Sequence, residues 1–300
     1  MIRFFALSLI FLSMTPALTA QGQPLTLHAA DSGGHISLGG VAMESAWETA
    51  TPLVVPVATD VIHHPPLEVS IRAIVDRSSL CLRIEWPDAS EDADCWLWTR
   101  AENGWERSGD RDDGLQIVID SPEGLRDQWN WWAQRTDAVG VAQDMVVSGE
   151  GEAVSDPGQV TWRANAIPDH NAPAEVWVAD EAEGPPTPYQ GGWISRSADH
   201  LFEGHTEPLG EINPWTGETW AEGDTVPGVI NIFPTDSQSD VETVGTWHDG
   251  HWILEMRREL DTGDPEHDIA LRSGESFPVT LTFRGSEPEI APITLQLTLN

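Results

Sequence analysis

The stretch Trp129-Asn130-Trp131-Trp132 places three indoles around one amide within four residues. Extended backbone would put Trp129 and Trp131 on one face and Asn130 and Trp132 on the other. One face then enters a core, and the other is left for a ligand or a covering loop. The chain holds 15 Trp, more than a sandwich core uses. Packing explains at least half of them, and the remainder point to stacking on sugar rings or to lining a large planar cofactor.

Other chemistry-bearing groups are weaker. His248 and His251 flank Asp249-Gly250 and would approach one another across a hairpin, but two imidazoles at an exposed turn make an adventitious metal site at best. Adjacent His63 and His64 point to opposite faces of an extended segment and cannot easily share an ion. The hard-oxygen run Asp110 to Gly114 is conceivable for calcium, yet it lacks EF-hand spacing and reads more simply as the turn before a strand. The sequence has no GxSxG nucleophile motif and no Gly-rich phosphate loop. Carboxylates are too numerous for any pair to be nominated as an acid/base dyad.

The elements that must position these residues are strands. Leu67, Val69, Ile71, Ala73 and Val75 alternate, as do Leu80, Leu82, Ile84 and Trp86, with Asp76 to Ser79 as the loop between them. Alternation returns at Leu115, Ile117 and Ile119, at Phe277 to Phe283, and at Ile293 to Leu299. In "TWHDGHWILEM" the Asp-Gly pair suits a type I′ turn, which makes Trp247 and Trp252 a facing pair, and Met256 belongs to the core parity. The fold class is therefore all-β: an antiparallel β-sandwich, immunoglobulin- or jelly-roll-like, with long loop excursions. The longest excursion runs from about residue 164 to 227; its Trp193, Trp215 and Trp220 mark it as an ordered cover.

Composition narrows the class further. Residues 1–20 have one Arg, an apolar run from Phe4 to Leu12 and a small-residue end, the layout of a secretory signal. Residues 21–300 then form a single sandwich domain in an exported, soluble protein, periplasmic in a Gram-negative cell. With 15 basic against 49 acidic residues and a net charge of -34, phosphate-bearing partners are repelled, so nucleic acid and anionic membranes are excluded. All the basic residues are Arg. Cys81 and Cys95 in an oxidising compartment allow one disulfide, with Cys81 on the face away from the core. Without CxxCH there is no covalent c-type haem attachment, and without CxxC no cysteine zinc site.

Four segments in order resemble the haem-binding domain of the gamma subunits of ethylbenzene dehydrogenase and dimethylsulfide dehydrogenase and of related exported cytochromes. They are "VSIRAIVDRSSLCLRIEWPDAS", "DDGLQIVID", "WNWWAQRTDAVGVAQDM" and "VGTWHDGHWILEMRRELDTGDPEHDIALRSGESFPVTLTF". The third is similar to a W-H-W-x-A-x-R-T segment, and the fourth contains an R-x-L-D-T-G-D turn.

The resemblance implies a sandwich that holds one b-type haem non-covalently. It implies a non-enzymatic electron-transfer role in the periplasm, beside molybdenum oxidoreductase subunits or periplasmic cytochromes. On that reading Trp129 and Trp131 wall the haem slot and Arg135 meets a propionate. The family's axial ligands are Met with Lys, and no Lys is present; the imidazole between the two Trp of relatives is Asn130 here. Substitute iron ligands are Met145, His170, His200 and His205. Two alternatives share the architecture: a carbohydrate or small-ligand binding module, and a haem-less accessory subunit.

Overall fold

Period-two alternation carries through into the computed structural model, which describes residues 25–32, 36–39, 45–58, 66–148, 151–166, 171, 173, 175–178, 193–194, 211–214 and 221–299. In chain order the strands begin with β1 (Leu25–Asp31), β2 (Leu53–Pro56), β3 (Glu68–Asp76), β4 (Ser79–Pro87), β5 (Trp98–Ala101) and β6 (Gly104–Arg107). Next come β7 (Gly114–Asp120), β8 (Arg126–Trp132), β9 (Gln143–Ser148) and β10 (Glu152–Ser155). Short strands follow: β11 (Trp162–Ala164), β12 (Glu175–Val178), β13 (Trp193–Ile194), β14 (Glu211–Pro214), β15 (Thr225–Val226) and β16 (Val229–Asn231). The chain closes with β17 (Val241–His248), β18 (His251–Glu259), β19 (Ser276–Arg284) and β20 (Ile293–Leu299). Among the described residues, no helix is long and apolar enough to cross a membrane.

One large sheet dominates, in the order β10-β9-β8-β7-β19-β20-β1-β3-β4-β18-β17, with β2 added on β3. It curls so that β7, β8 and β19 face β3, β4 and β18 across one apolar layer, giving the all-β, sandwich-like class. The pairing is antiparallel except at β1, which runs parallel to both β20 and β3. That insertion of an N-terminal strand between the two halves lies outside what local alternation can specify.

Indoles fill the centre of the layer. Trp131 lies 5.0 Å from Trp252 and 5.9 Å from Trp86, each edge to face, and Trp86 packs on Phe283 at 5.5 Å. Edge-to-face contact sets the positive ring edge against a negative ring face and adds to the area term. An apolar void among Leu27, Ile71, Leu82 and Leu295 measures only about 10 Å³. A gap of that size is at the lower limit for one water, so the layer is closed.

The hairpin at the β17–β18 turn has the register read from sequence, Trp247 opposite Trp252 and His248 opposite His251. Asp249 and Gly250 both have positive φ, 48° and 79°, as a type I′ turn requires. Both imidazoles are turned to Asp249, His248 to its carboxylate and His251 to its carbonyl.

Cys81 does lie on the face away from the main core, but the disulfide the sequence allows is not formed: the thiol is buried with Ile74 beneath Ile36 and Trp47, on the outer face of β3 and β4. Cys95 is buried elsewhere, and both thiols are free. The outer face is covered because the segment containing α1 (Ser45–Thr49) folds back over it, and Arg72 holds that segment through the carbonyl of Trp47 at 2.7 Å. Burial, joined for Cys81 by the Asp76 charge and for Cys95 by the Asp112 charge, pushes each thiol up to about 12, so neither is a ready nucleophile.

Candidate functional site

The two faces of β8 take up different chemistry. Trp129 and Trp131 enter the sandwich layer, 1% and 0% exposed. Asn130 and Gln128 project from the opposite, outer face, next to Gln116 of β7 and Met145 of β9. There Asn130 accepts from Gln116 at 3.1 Å and from Gln128 at 3.2 Å, and donates its own amide N–H to the Met145 sulfur at 3.1 Å. Gln128 also approaches the sulfur, at 3.7 Å, so two buried amides meet one thioether and Gln116 braces Asn130 from behind.

The rim of this face is cationic and aromatic. The Arg135 guanidinium lies 3.7 Å from the Trp132 ring, 5.2 Å from Trp162 and 5.8 Å from Trp96. Arg107 stacks at 4.7 Å on Trp96 and at 5.5 Å on Trp98. Asp112 receives the Arg135 Nε–H at 2.8 Å and the backbone N–H groups of Gln134 and Arg135 on its second oxygen. The Asp110 to Gly114 run therefore supplies an internal anchor and the turn before β7.

Asp113, next in that run, accepts the Trp252 indole N–H at 2.9 Å and the Asp92 backbone N–H at 2.9 Å. Burial pushes its carboxyl up to about 7, with Asp88 and Asp92 adding a smaller push. A folded-state value above the unfolded one means the native state holds the extra proton. The contribution of this group is thus complete below the unfolded value near 4 and is lost as pH rises through about 7. Thermal stability is expected to fall between pH 5 and pH 8, and Asp113→Asn should remove on the order of 3 kcal/mol of that fall. Melting curves of both proteins across this range, at fixed high salt, check it; parallel curves would rule Asp113 out as the source.

The residues nominated from sequence are only partly brought together. Trp129 and Trp131 cannot wall a slot that contains Met145, because strand alternation sends them to the opposite face, where Trp86 and Trp252 already fill the space. Trp132 is the indole that shares the Met145 face. Arg135 stands at the rim of that face, already paired with Asp112. His170, His200 and His205 lie outside the described residues, as do His63, His64, Trp215, Trp220 and most of the 164–227 excursion. Its described flanks are tied down: Trp98 donates its indole N–H to the Asn165 carbonyl, and β11 pairs with β16.

Of the two faces of β8, only the outer one carries donor chemistry that suits a haem. The inner layer has no room for it. The outer face of β7, β8 and β9 offers a soft sulfur ligand in Met145, amide donors around it and a cation at the rim; a second axial ligand is not among the described residues of that face. The indoles also weigh against an open sugar platform, since every Trp whose side chain is described is buried or half-buried.

Sequence reasoning missed a second cluster at one end of the inner layer. Asp127 and Asp144 share the core face with Trp129, and Arg258 reaches Asp127 from β18. Its guanidinium contacts Asp127 at 3.1 Å and Asp268 at 2.8 Å, and lies 5.5 Å from the Trp129 ring. Asp127 and Arg258 both occupy core parity in their strands, and a charge at core parity is the signal that could have found them.

By fold, then, the chain is an all-β sandwich with a closed aromatic layer and one amide- and thioether-bearing outer face. By sequence it belongs to the ethylbenzene dehydrogenase family, whose model matches residues 112–289. The matched range contains Asp112, the Trp129 to Trp132 stretch, Met145 and the Arg258 to Asp264 turn. No curated protein matches the chain. Among solved structures, a Bacteroides uniformis ATCC 8492 protein described as carbohydrate-binding is similar at 11% identity and a TM-score of 0.39, over 91% of this chain and 89% of that one.

Proposed function

We propose that this protein is an exported, non-catalytic subunit of the gamma type that binds one b-type haem and passes single electrons. Its partner would be a molybdenum oxidoreductase or a periplasmic cytochrome. Membership of the ethylbenzene dehydrogenase family carries this reading. The haem would supply one-electron redox chemistry. Met145 would offer its thioether to the iron, Asn130 would orient that sulfur, and Arg135 with Trp132 would stand at the propionate edge. The second axial ligand would be His170, His200 or His205, from the excursion after β11.

The visible spectrum of the purified chain supplied with haemin tests this. A Soret band that sharpens on reduction, with split α and β bands, is expected for low-spin six-coordinate iron, and Met145→Ala should convert it to high spin. A colourless protein that takes up no haem would overturn the proposal. An unchanged spectrum in Met145→Ala would remove Met145 from the ligand set.

A further inference from the structure

We propose that the buried carboxylates Asp127, Asp144, Asp156 and Asp268 bind one hard divalent cation, calcium in the first place, at the end of the sandwich layer. Asp127, Asp144 and Asp268 each bring an oxygen within 4.8 Å of the other two, and all three are buried. Their internal partners do not exhaust them. Asp268 gives one oxygen to Arg258 and the other to the Thr262 hydroxyl. Asp127 gives one oxygen to Arg258 and the Ile269 N–H, while its other oxygen accepts no hydrogen bond. In Asp144 one oxygen accepts the Met145 N–H and the second is unpartnered.

Asp156 points to a ligand independently of that trio. It is 3% exposed, neither of its oxygens has a partner, and its backbone N–H donates to the Asp144 carbonyl at 3.2 Å, which sets it beside the trio, where burial and the Asp268 and Asp127 charges push its carboxyl up. Gln238 adds a neutral oxygen. Its Nε2 donates to the backbone carbonyls of Asp144 at 2.6 Å and Asp156 at 3.0 Å, which fixes the amide and leaves a buried, unpartnered Oε1 beside both residues.

Charge settles what kind of ligand fits. Arg258 pairs with Asp127 and Asp268, whereas Asp144 and Asp156 have no cationic side chain within ion-pair distance among the described residues. An uncompensated buried carboxylate costs several kcal/mol, so Asp144 and Asp156, whose carboxyls burial pushes up, take up either a proton or a further cation. All the donors are oxygen, which selects a hard ion over zinc or copper. An irregular set of carboxylates with an amide carbonyl suits calcium, whereas magnesium demands near-ideal octahedral geometry and keeps its water. A cavity of about 450 Å³ lined by Leu125, Pro265, Arg272 and Phe277 also has Asp268 in its wall, next to the cluster.

The test uses the full chain, stripped with EGTA and kept in 1 M NaCl so that the charge of -34 does not gather ions diffusely. Equilibrium dialysis with radioactive calcium should find one tight site per chain. Calcium should raise the melting temperature more than an equal magnesium concentration, and terbium should luminesce on excitation through Trp129. Asp144→Asn and Asp156→Asn should each weaken calcium binding at least tenfold, and the exposed Asp249→Asn should not. No stoichiometric calcium and no melting shift in the wild-type chain would overturn the proposal, as would equal binding in all three variants. If the buried variants fail to fold, the wild-type dialysis and melting curves decide alone. Haem uptake plays no part in these readouts.

Discussion

Trp131→Ala is expected to destabilise the protein by about 3–5 kcal/mol, the range for removing a buried indole from a core that relaxes only partly. Three losses coincide at this position. The ring leaves its edge-to-face contacts with Trp252 and Trp86. Asp137 loses the indole N–H that it accepts at 2.8 Å, keeping only the Gly245 N–H at 2.7 Å on the same oxygen. A hollow also opens at Gly245, where a Cβ would now meet the ring at 2.3 Å. Denaturant titration at fixed salt measures the effect, with Trp132→Ala as the comparison. Trp132 is half-buried and stacks on Arg135, a contact of about 0.5–2 kcal/mol, so its loss should be clearly smaller. Equal losses at the two positions would mean that the faces of β8 are energetically alike, against the assignment of Trp131 to the closed layer.

That difference between neighbours was legible in the sequence. Parity alone separated Trp129 and Trp131 from Asn130 and Trp132, and the Asp249-Gly250 turn fixed the register of β17 and β18. What parity could not give was which face a ligand would use. Trp129 and Trp131 looked like the walls of a slot, but a curled sheet brings Trp86 and Trp252 from distant strands onto those rings. Met145 was visible as a soft ligand, although its position beside Asn130 depends on the β8–β9 register. The burial of Cys81 depended on a covering segment some forty residues upstream, which no local period reports. Charged residues at core parity were the overlooked signal: Arg258 continues the series Trp252, Leu254 and Met256, and Asp127 precedes Trp129 and Trp131.

Arg258→Met, in chelator at neutral pH, is expected to lose about 3–5 kcal/mol, because it removes one partner of a buried charge set and strands the others. The side chain is fully buried, bonds the Ile269 carbonyl at 3.0 Å and pairs with Asp127 and Asp268. Methionine keeps much of the volume and loses the charge, so the defect is mainly electrostatic, with the cation–π contact to Trp129 as a smaller part. The triple variant Arg258→Met, Asp127→Asn, Asp268→Asn separates two accounts of the cluster. If the ion pairs themselves hold this end of the sandwich together, the triple variant should be as unstable as the single one. If the penalty comes from stranded carboxylates, neutralising them should restore most of the loss, since a buried ion set contributes little beyond an uncharged replacement of similar shape. The second result is expected, because several oxygens of the cluster already lack partners with Arg258 in place. Equal denaturant midpoints for the single and triple variants would refute it.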